Sequence, residues 1–129
     1  MKAAPAGPIL CCEEVSREFI TERKAIIGTP KKTFLAVSEV SLCIEAGETV
    51  GIVGESGSGK STLGEILGGL RKPTRGTVSF RGIDLKNMDE RQYQQYRRNV
   101  QFIFQDPKGS MHPQHRIRQI IGEPLITLK

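Results

Sequence analysis

Gly54-Glu55-Ser56-Gly57-Ser58-Gly59-Lys60-Ser61, followed by Thr62, is the stretch of this 129-residue chain whose residue types and spacing can do chemistry. It meets the pattern G-x-x-x-x-G-K-[ST] at every fixed position. Triphosphate oxygens need many hydrogen-bond donors close together, and backbone N–H groups converge on them only where no side chain blocks the approach. Gly54, Gly57 and Gly59 leave that approach open. A helix opening at Lys60 would add unpaired N–H groups and a partial positive charge. In such a loop Lys60 is expected to reach the β- and γ-phosphates, and the Ser61 hydroxyl to ligate Mg²⁺.

Flanking elements must hold this loop. Thr49-Val50-Gly51-Ile52-Val53 is short, apolar and β-branched, and predicts a buried strand running into it. Leu63, Ile66, Leu67 and Leu70 recur at helical spacing and predict a helix over residues 60–70. Upstream, residues 1–8 are small and Pro/Gly-bearing and are expected to be disordered. Residues 9–19 predict a first strand, and residues 20–32, broken by Gly28-Thr29-Pro30, a surface loop. Residues 34–46 alternate, with Val40, Leu42 and Ile44 on one side and Glu39, Ser41, Cys43 and Glu45 on the other. Downstream come a turn at Lys72-Pro73-Thr74-Arg75-Gly76 and a strand over residues 77–80. Asp89 suits a helix N-cap ahead of a polar helix over residues 90–99. Val100-Gln101-Phe102-Ile103-Phe104 predicts a compact buried strand that Gln105-Asp106-Pro107 ends. A last helix starts over residues 117–121, and Pro124 opposes its continuation.

Composition narrows the class. With 37% hydrophobic and 26% charged residues, the chain has the make-up of one soluble globular domain at most. The formal charge of +5 collects after the loop, where residues 71–129 hold twelve basic and five acidic groups. These are scattered and poorly interleaved with aromatics, which fits a solvated or partner-facing surface and not a nucleic-acid interface. No apolar run approaches the roughly 20 residues that span a bilayer, and Ile9-Leu10-Cys11-Cys12 is too short for a signal-peptide core, so a cytoplasmic location is expected. The three cysteines, Cys11, Cys12 and Cys43, form no C-x-x-C pair and read as reduced thiols in strands. His112 and His115 have no evident third ligand, so no metal is assigned to them. Asp84, Asp89 and Glu90 are assigned no catalytic role.

Four segments together carry a family resemblance. Residues 100–107 (Val-Gln-Phe-Ile-Phe-Gln-Asp-Pro) resemble the Q-loop of ATP-binding cassette (ABC) proteins, and residues 53–63 resemble their Walker A segment. Val40-Ser41-Leu42 with Ala46-Gly47-Glu48 is similar to the strand and turn that precede Walker A, and residues 72–76 to the turn after the first helix. Within the family, Gln105-Asp106-Pro107, His112-Pro113 and Ile120-Ile121-Gly122-Glu123-Pro124-Leu125 most resemble ATP subunits of oligopeptide, dipeptide and nickel importers. The resemblance implies an α/β fold: a P-loop NTPase core of ABC type with an antiparallel β subdomain, occupying residues 9–129 and cut off before the helical subdomain is complete.

The resemblance also implies roles. Gly54, Glu55, Ser56, Gly57, Ser58, Gly59, Lys60, Ser61 and Thr62 would hold ATP. Ser61 and Gln105 would serve Mg²⁺, and Gln105 would link nucleotide state to the membrane partner. Phe19, with Phe34 as runner-up, would stack on adenine. The implied partners are transmembrane permease subunits and a second ATP-binding subunit, with the protein peripheral on the inner face of the cell membrane. The sequence also departs from the family. It has no Leu-Ser-Gly-Gly-Gln signature, no apolar strand ending in Asp-Glu and no later switch histidine. The chain by itself is therefore expected to lack turnover, as the N-terminal half of an ATPase that couples hydrolysis to peptide or nickel uptake. The alternatives are a short nucleotide- or partner-binding module, or a different P-loop NTPase.

Overall fold

The computed structural model describes residues 7–21, 32–106, 109 and 111–127. Most of the expected N-terminal disorder and of the surface loop before residue 33 lies outside the described residues. The chain divides into two units, Met1–Asp89 and Glu90–Lys129.

The first unit is built on an antiparallel sheet of four strands in the order β2-β1-β3-β4. These are β1 (Leu10–Ile20), β2 (Thr33–Ile44), β3 (Arg75–Phe80) and β4 (Ile83–Asp84). On β2 the alternation read from the sequence holds, with Val40, Leu42 and Ile44 half-buried and Ser41 and Cys43 exposed. Helix α1 (Lys60–Leu67) lays Leu63, Ile66 and Leu67 against Cys12 and Val15 of β1, Val37 of β2 and Val78 of β3, forming the core. It stops short of the expected Leu70 because Gly68 and Gly69 follow, and Leu70 is left exposed. Truncating Ile66, which is 1% exposed, to Ala would cost about 2–5 kcal/mol.

β1 is irregular. Its register with β2 shifts between Cys12 and Val15, and Glu14 has φ +49°. Hydroxyls replace ladder partners there: Glu14 N–H donates to Ser41 Oγ at 2.8 Å, and Glu39 N–H to the buried Ser16 Oγ at 2.9 Å. Gly76 of β3, at φ +82°, abuts the bulge so closely that a Cβ would lie 2.5 Å from both the Glu13 and Glu14 carbonyl oxygens. No residue with a side chain fits.

Three expectations are corrected. Residues 49–53 and 100–104 are not strands: neither run joins the four-stranded sheet, and Val53 and Ile103 are 97% and 90% exposed. An apolar β-branched run becomes a strand only when a neighbour takes up its N–H and C=O groups. The cysteines are not all reduced. Cys11 stands directly opposite Cys43 in the β1–β2 register with a Cα–Cα distance of 4.1 Å, and the two form a disulfide. Cys12, on the other face, is a free buried thiol whose pKa burial pushes up, so it stays protonated.

In the second unit, α2 (Glu90–Asn99) begins and ends where the sequence indicates, and α3 (Ile117–Thr127) runs through Pro124. That proline removes one N–H from the helix but does not end it, and α3 buries no side chain. Tyr96 of α2 is buried, and burial, with Tyr93 beside it, pushes its phenol up to about 12.

The disulfide closes a loop of sequence separation 32, so reducing it, or substituting Cys43→Ser, is expected to lower stability by about 3–4 kcal/mol. Urea unfolding with and without dithiothreitol measures this. Coincident curves would mean that the bond does not form in solution.

Candidate functional site

Residues 54–59 form a tight, exposed turn that delivers Lys60 to the first position of α1. Gly59, the residue before the helix, is left-handed (φ +91°, ψ 2°), and its carbonyl accepts the first helical hydrogen bond from Leu63 N–H at 2.8 Å. A Cβ on Gly59 would be driven into the Ala36 carbonyl of β2 and would lie 3.4 Å from Val37 Cγ2. Strand β2 thus fixes where the helix begins, and glycine is required there by both conformation and space. No side chain caps α1 and no acidic residue sits in its first turn. The first turn of α1 thus carries no carboxylate of its own to compete for its N–H groups and their partial positive charge.

Lys60 folds back over the loop. Its ammonium donates to the Gly54 carbonyl at 2.8 Å, to the Glu55 carbonyl at 2.5 Å and to Ser58 Oγ at 3.3 Å. A second clasp runs from Ser58 N–H to the Glu55 carbonyl at 3.3 Å. Gly57 has open space around it. Ser61 is exposed and Thr62 half-buried on the first turn of α1. The uncapped N–H groups at the head of α1, with the Lys60 ammonium over the turn and the Ser61 hydroxyl beside it, are of the chemistry that suits a polyphosphate carrying a hard divalent ion.

The sequence-predicted residues fall into three places. Gly54 through Thr62 are brought together in the loop and the start of α1. Phe19 lies near the end of β1, paired across the ladder with Phe34 of β2; Phe19 is half-buried and Phe34 53% exposed. Gln105 belongs to the second unit and is exposed, just after residues 100–104. Sequence reasoning missed the setting of Phe19. Arg17 and Arg71 place their guanidinium carbons 5.0 Å and 5.1 Å from its ring centroid. The spacing of Arg17 and Phe19 by two in a strand was a readable signal. Arg71 reaches the ring only through the tertiary fold.

A left-handed glycine turn feeding an uncapped helix, with lysine at its first position, is the backbone arrangement of the P-loop class of proteins. The family model that matches, described as ABC transporter, covers residues 37–123, and the chain belongs to that family. The nickel import ATP-binding protein NikE of Rhodospirillum rubrum is 43% identical over 120 residues, which is 92% of this chain and 42% of that protein. The oligopeptide transport ATP-binding protein AppF of Bacillus subtilis is 47% identical over 133 residues, covering 98% of this chain and 39% of that protein. The dimeric structure of MJ0796, a bacterial ABC transporter cassette, superposes with a TM-score of 0.72 at 30% identity over 93% of this chain and 48% of that one. The chain thus spans well under half the length of these curated relatives. Among the described residues no helix is long and apolar enough to cross a membrane.

Two glycine substitutions separate conformation from space. Gly57→Ala meets nothing and should lose only the left-handed penalty, about 1–2 kcal/mol. Gly59→Ala adds the collision with Ala36 and should lose about 2–3 kcal/mol more. Denaturant unfolding of both variants tests the difference. Equal losses would remove β2 as the element that fixes the loop.

Proposed function

We propose that this chain is the nucleotide-binding part of an ABC importer's ATP subunit, and that the whole protein couples ATP hydrolysis to uptake of peptide or nickel. The observation that carries the reading is the loop itself, with Gly59 locked against β2 and Lys60 poised over the turn at the head of α1. The names of the relatives, which are nickel import and oligopeptide transport ATP-binding proteins, support the substrate classes.

In this reading the backbone N–H groups of residues 54–62 bind the phosphates, and Lys60 exchanges its carbonyl partners for β- and γ-phosphate oxygens. Ser61 would hold Mg²⁺, which when bound neutralises charge on the phosphates. Phe19 would seat the adenine. Catalysis in the whole protein is phosphoryl transfer to water, achieved by positioning and charge stabilisation. Gln105 would report nucleotide state to transmembrane permease subunits, and a second ATP-binding subunit would complete the site, on the cytoplasmic face of the membrane. No Leu-Ser-Gly-Gly-Gln stretch and no apolar strand ending in Asp-Glu occurs in the chain, so the chain alone would bind nucleotide without turnover.

Equilibrium binding of Mg·ATP to the full chain, followed by a fluorescent nucleotide, tests this. Lys60→Ala should weaken affinity by at least about tenfold, the loss of one charged hydrogen-bond donor. Ser61→Ala should abolish the dependence on Mg²⁺ while sparing metal-free binding. Unchanged affinity in Lys60→Ala would end the proposal, and phosphate release from the isolated chain above background would end the claim of binding without turnover.

A further inference from the structure

The two guanidinium groups over the Phe19 ring are both anchored. Arg17 Nη1 donates to the Lys72 carbonyl at 3.0 Å. Arg71 Nε donates to Glu65 Oε2 at 2.6 Å, and the Leu70 and Arg71 N–H groups both donate to the Glu65 carbonyl, at 2.9 Å and 3.1 Å. Glu65 lies on α1, the helix whose first turn carries Lys60 and Ser61. A short, charge-assisted chain therefore runs from the helix at the phosphate loop, through Glu65 and Arg71, to the aromatic ring at the end of β1.

The geometry of that chain matters more than its energy. The side chains of Arg71 and Glu65 remain 36% and 29% exposed, and an ion pair of that exposure stabilises a fold little. Its direction is another matter. A guanidinium is planar and packs over a ring, and a carboxylate on its Nε edge fixes the plane in which it lies. Phe19 follows a register shift with β2, between Arg17 and Glu18, and the ladder that pairs it with Phe34 fixes its backbone but not the plane of its ring.

We propose that Arg71, held by Glu65, is a positioning residue that sets the Phe19 ring at a fixed place relative to the phosphate loop. Affinity for an adenine nucleotide over bare polyphosphate then depends on it. This rests on the reading of Phe19 as the surface that seats the base. Arg71 acts through the Phe19 ring, over which it packs. It makes the distance between the two recognition points a property of helix α1.

The test compares ATP with inorganic tripolyphosphate as competitors for a fluorescent nucleotide on the full chain. Phe19→Ala should weaken ATP about tenfold and leave tripolyphosphate unchanged, the size expected for one base–aromatic stack. Arg71→Ala and Glu65→Ala should each weaken ATP about three- to fivefold, again without touching tripolyphosphate. Glu65→Gln, which keeps an acceptor oxygen for Arg71, should restore most of the preference. Tripolyphosphate binding doubles as the check that each variant is folded. If Arg71→Ala weakens both ligands equally, or neither, the positioning role is overturned. If Phe19→Ala leaves the ratio of the two unchanged, the base-seating reading of Phe19 falls and takes the proposal with it. If Phe19→Ala shifts the ratio and Arg71→Ala does not, the proposal falls alone.

Discussion

The approach of Gly59 to the Ala36 carbonyl is the constraint on which the first unit turns. It brings the first turn of α1 to the backbone of β2 with no side chain between them. From that point the helix has one way to lie, with Leu63, Ile66 and Leu67 down on the sheet and Lys60 and Ser61 at its exposed head. Gly76 repeats the device on β3, where its missing Cβ lets the strand close against the bulge in β1. Two glycines thus set where β3 meets the bulge in β1 and where the helix begins. Backbone-to-backbone contact of this kind transmits position more faithfully than side-chain packing, because no rotamer can relax it.

What could be read from the sequence follows from how local each signal is. β1, β2 and α1 were legible because alternation and helical spacing are written within ten residues, and the loop because its pattern is contiguous. The run at Thr49-Val50-Gly51-Ile52-Val53 and that at Val100-Gln101-Phe102-Ile103-Phe104 have the composition of buried strands, yet the sheet has no place for either. Composition records a tendency to be covered, whereas strand formation requires a specific neighbour. The disulfide was illegible for a related reason: nothing about Cys11 or Cys43 alone reveals that they stand opposite each other, and the adjacency of Cys11 and Cys12 hides that successive strand residues face opposite ways. Pro124 misled in the opposite sense. A proline costs a helix one hydrogen bond and some crowding, and α3 continues past it.

Of the candidate site, the contiguous part was read directly and the dispersed part was not. Phe19 is a candidate because of the family resemblance, and Arg17 stands two residues from it in the same strand, but Arg71 could not be named, since it reaches the ring only after α1 has packed. The two arginines over Phe19 are far apart in sequence, and in the structure each has its own carboxylate or carbonyl partner.

Lys60 gives the loop a property that a list of ligand-binding residues conceals. With its ammonium on the Gly54 and Glu55 carbonyls, the turn carries its own cation as an internal tie. An anion bound as proposed would substitute in the lysine's coordination and would not add to a vacant cradle. The carbonyl oxygens it leaves must find water or the backbone, and the loop must hold its curvature without that tie once the ligand provides a replacement. Affinity at such a site is a difference between two sets of bonds to one nitrogen, so changes in the loop that weaken the self-tied form can raise affinity without adding any contact to the ligand.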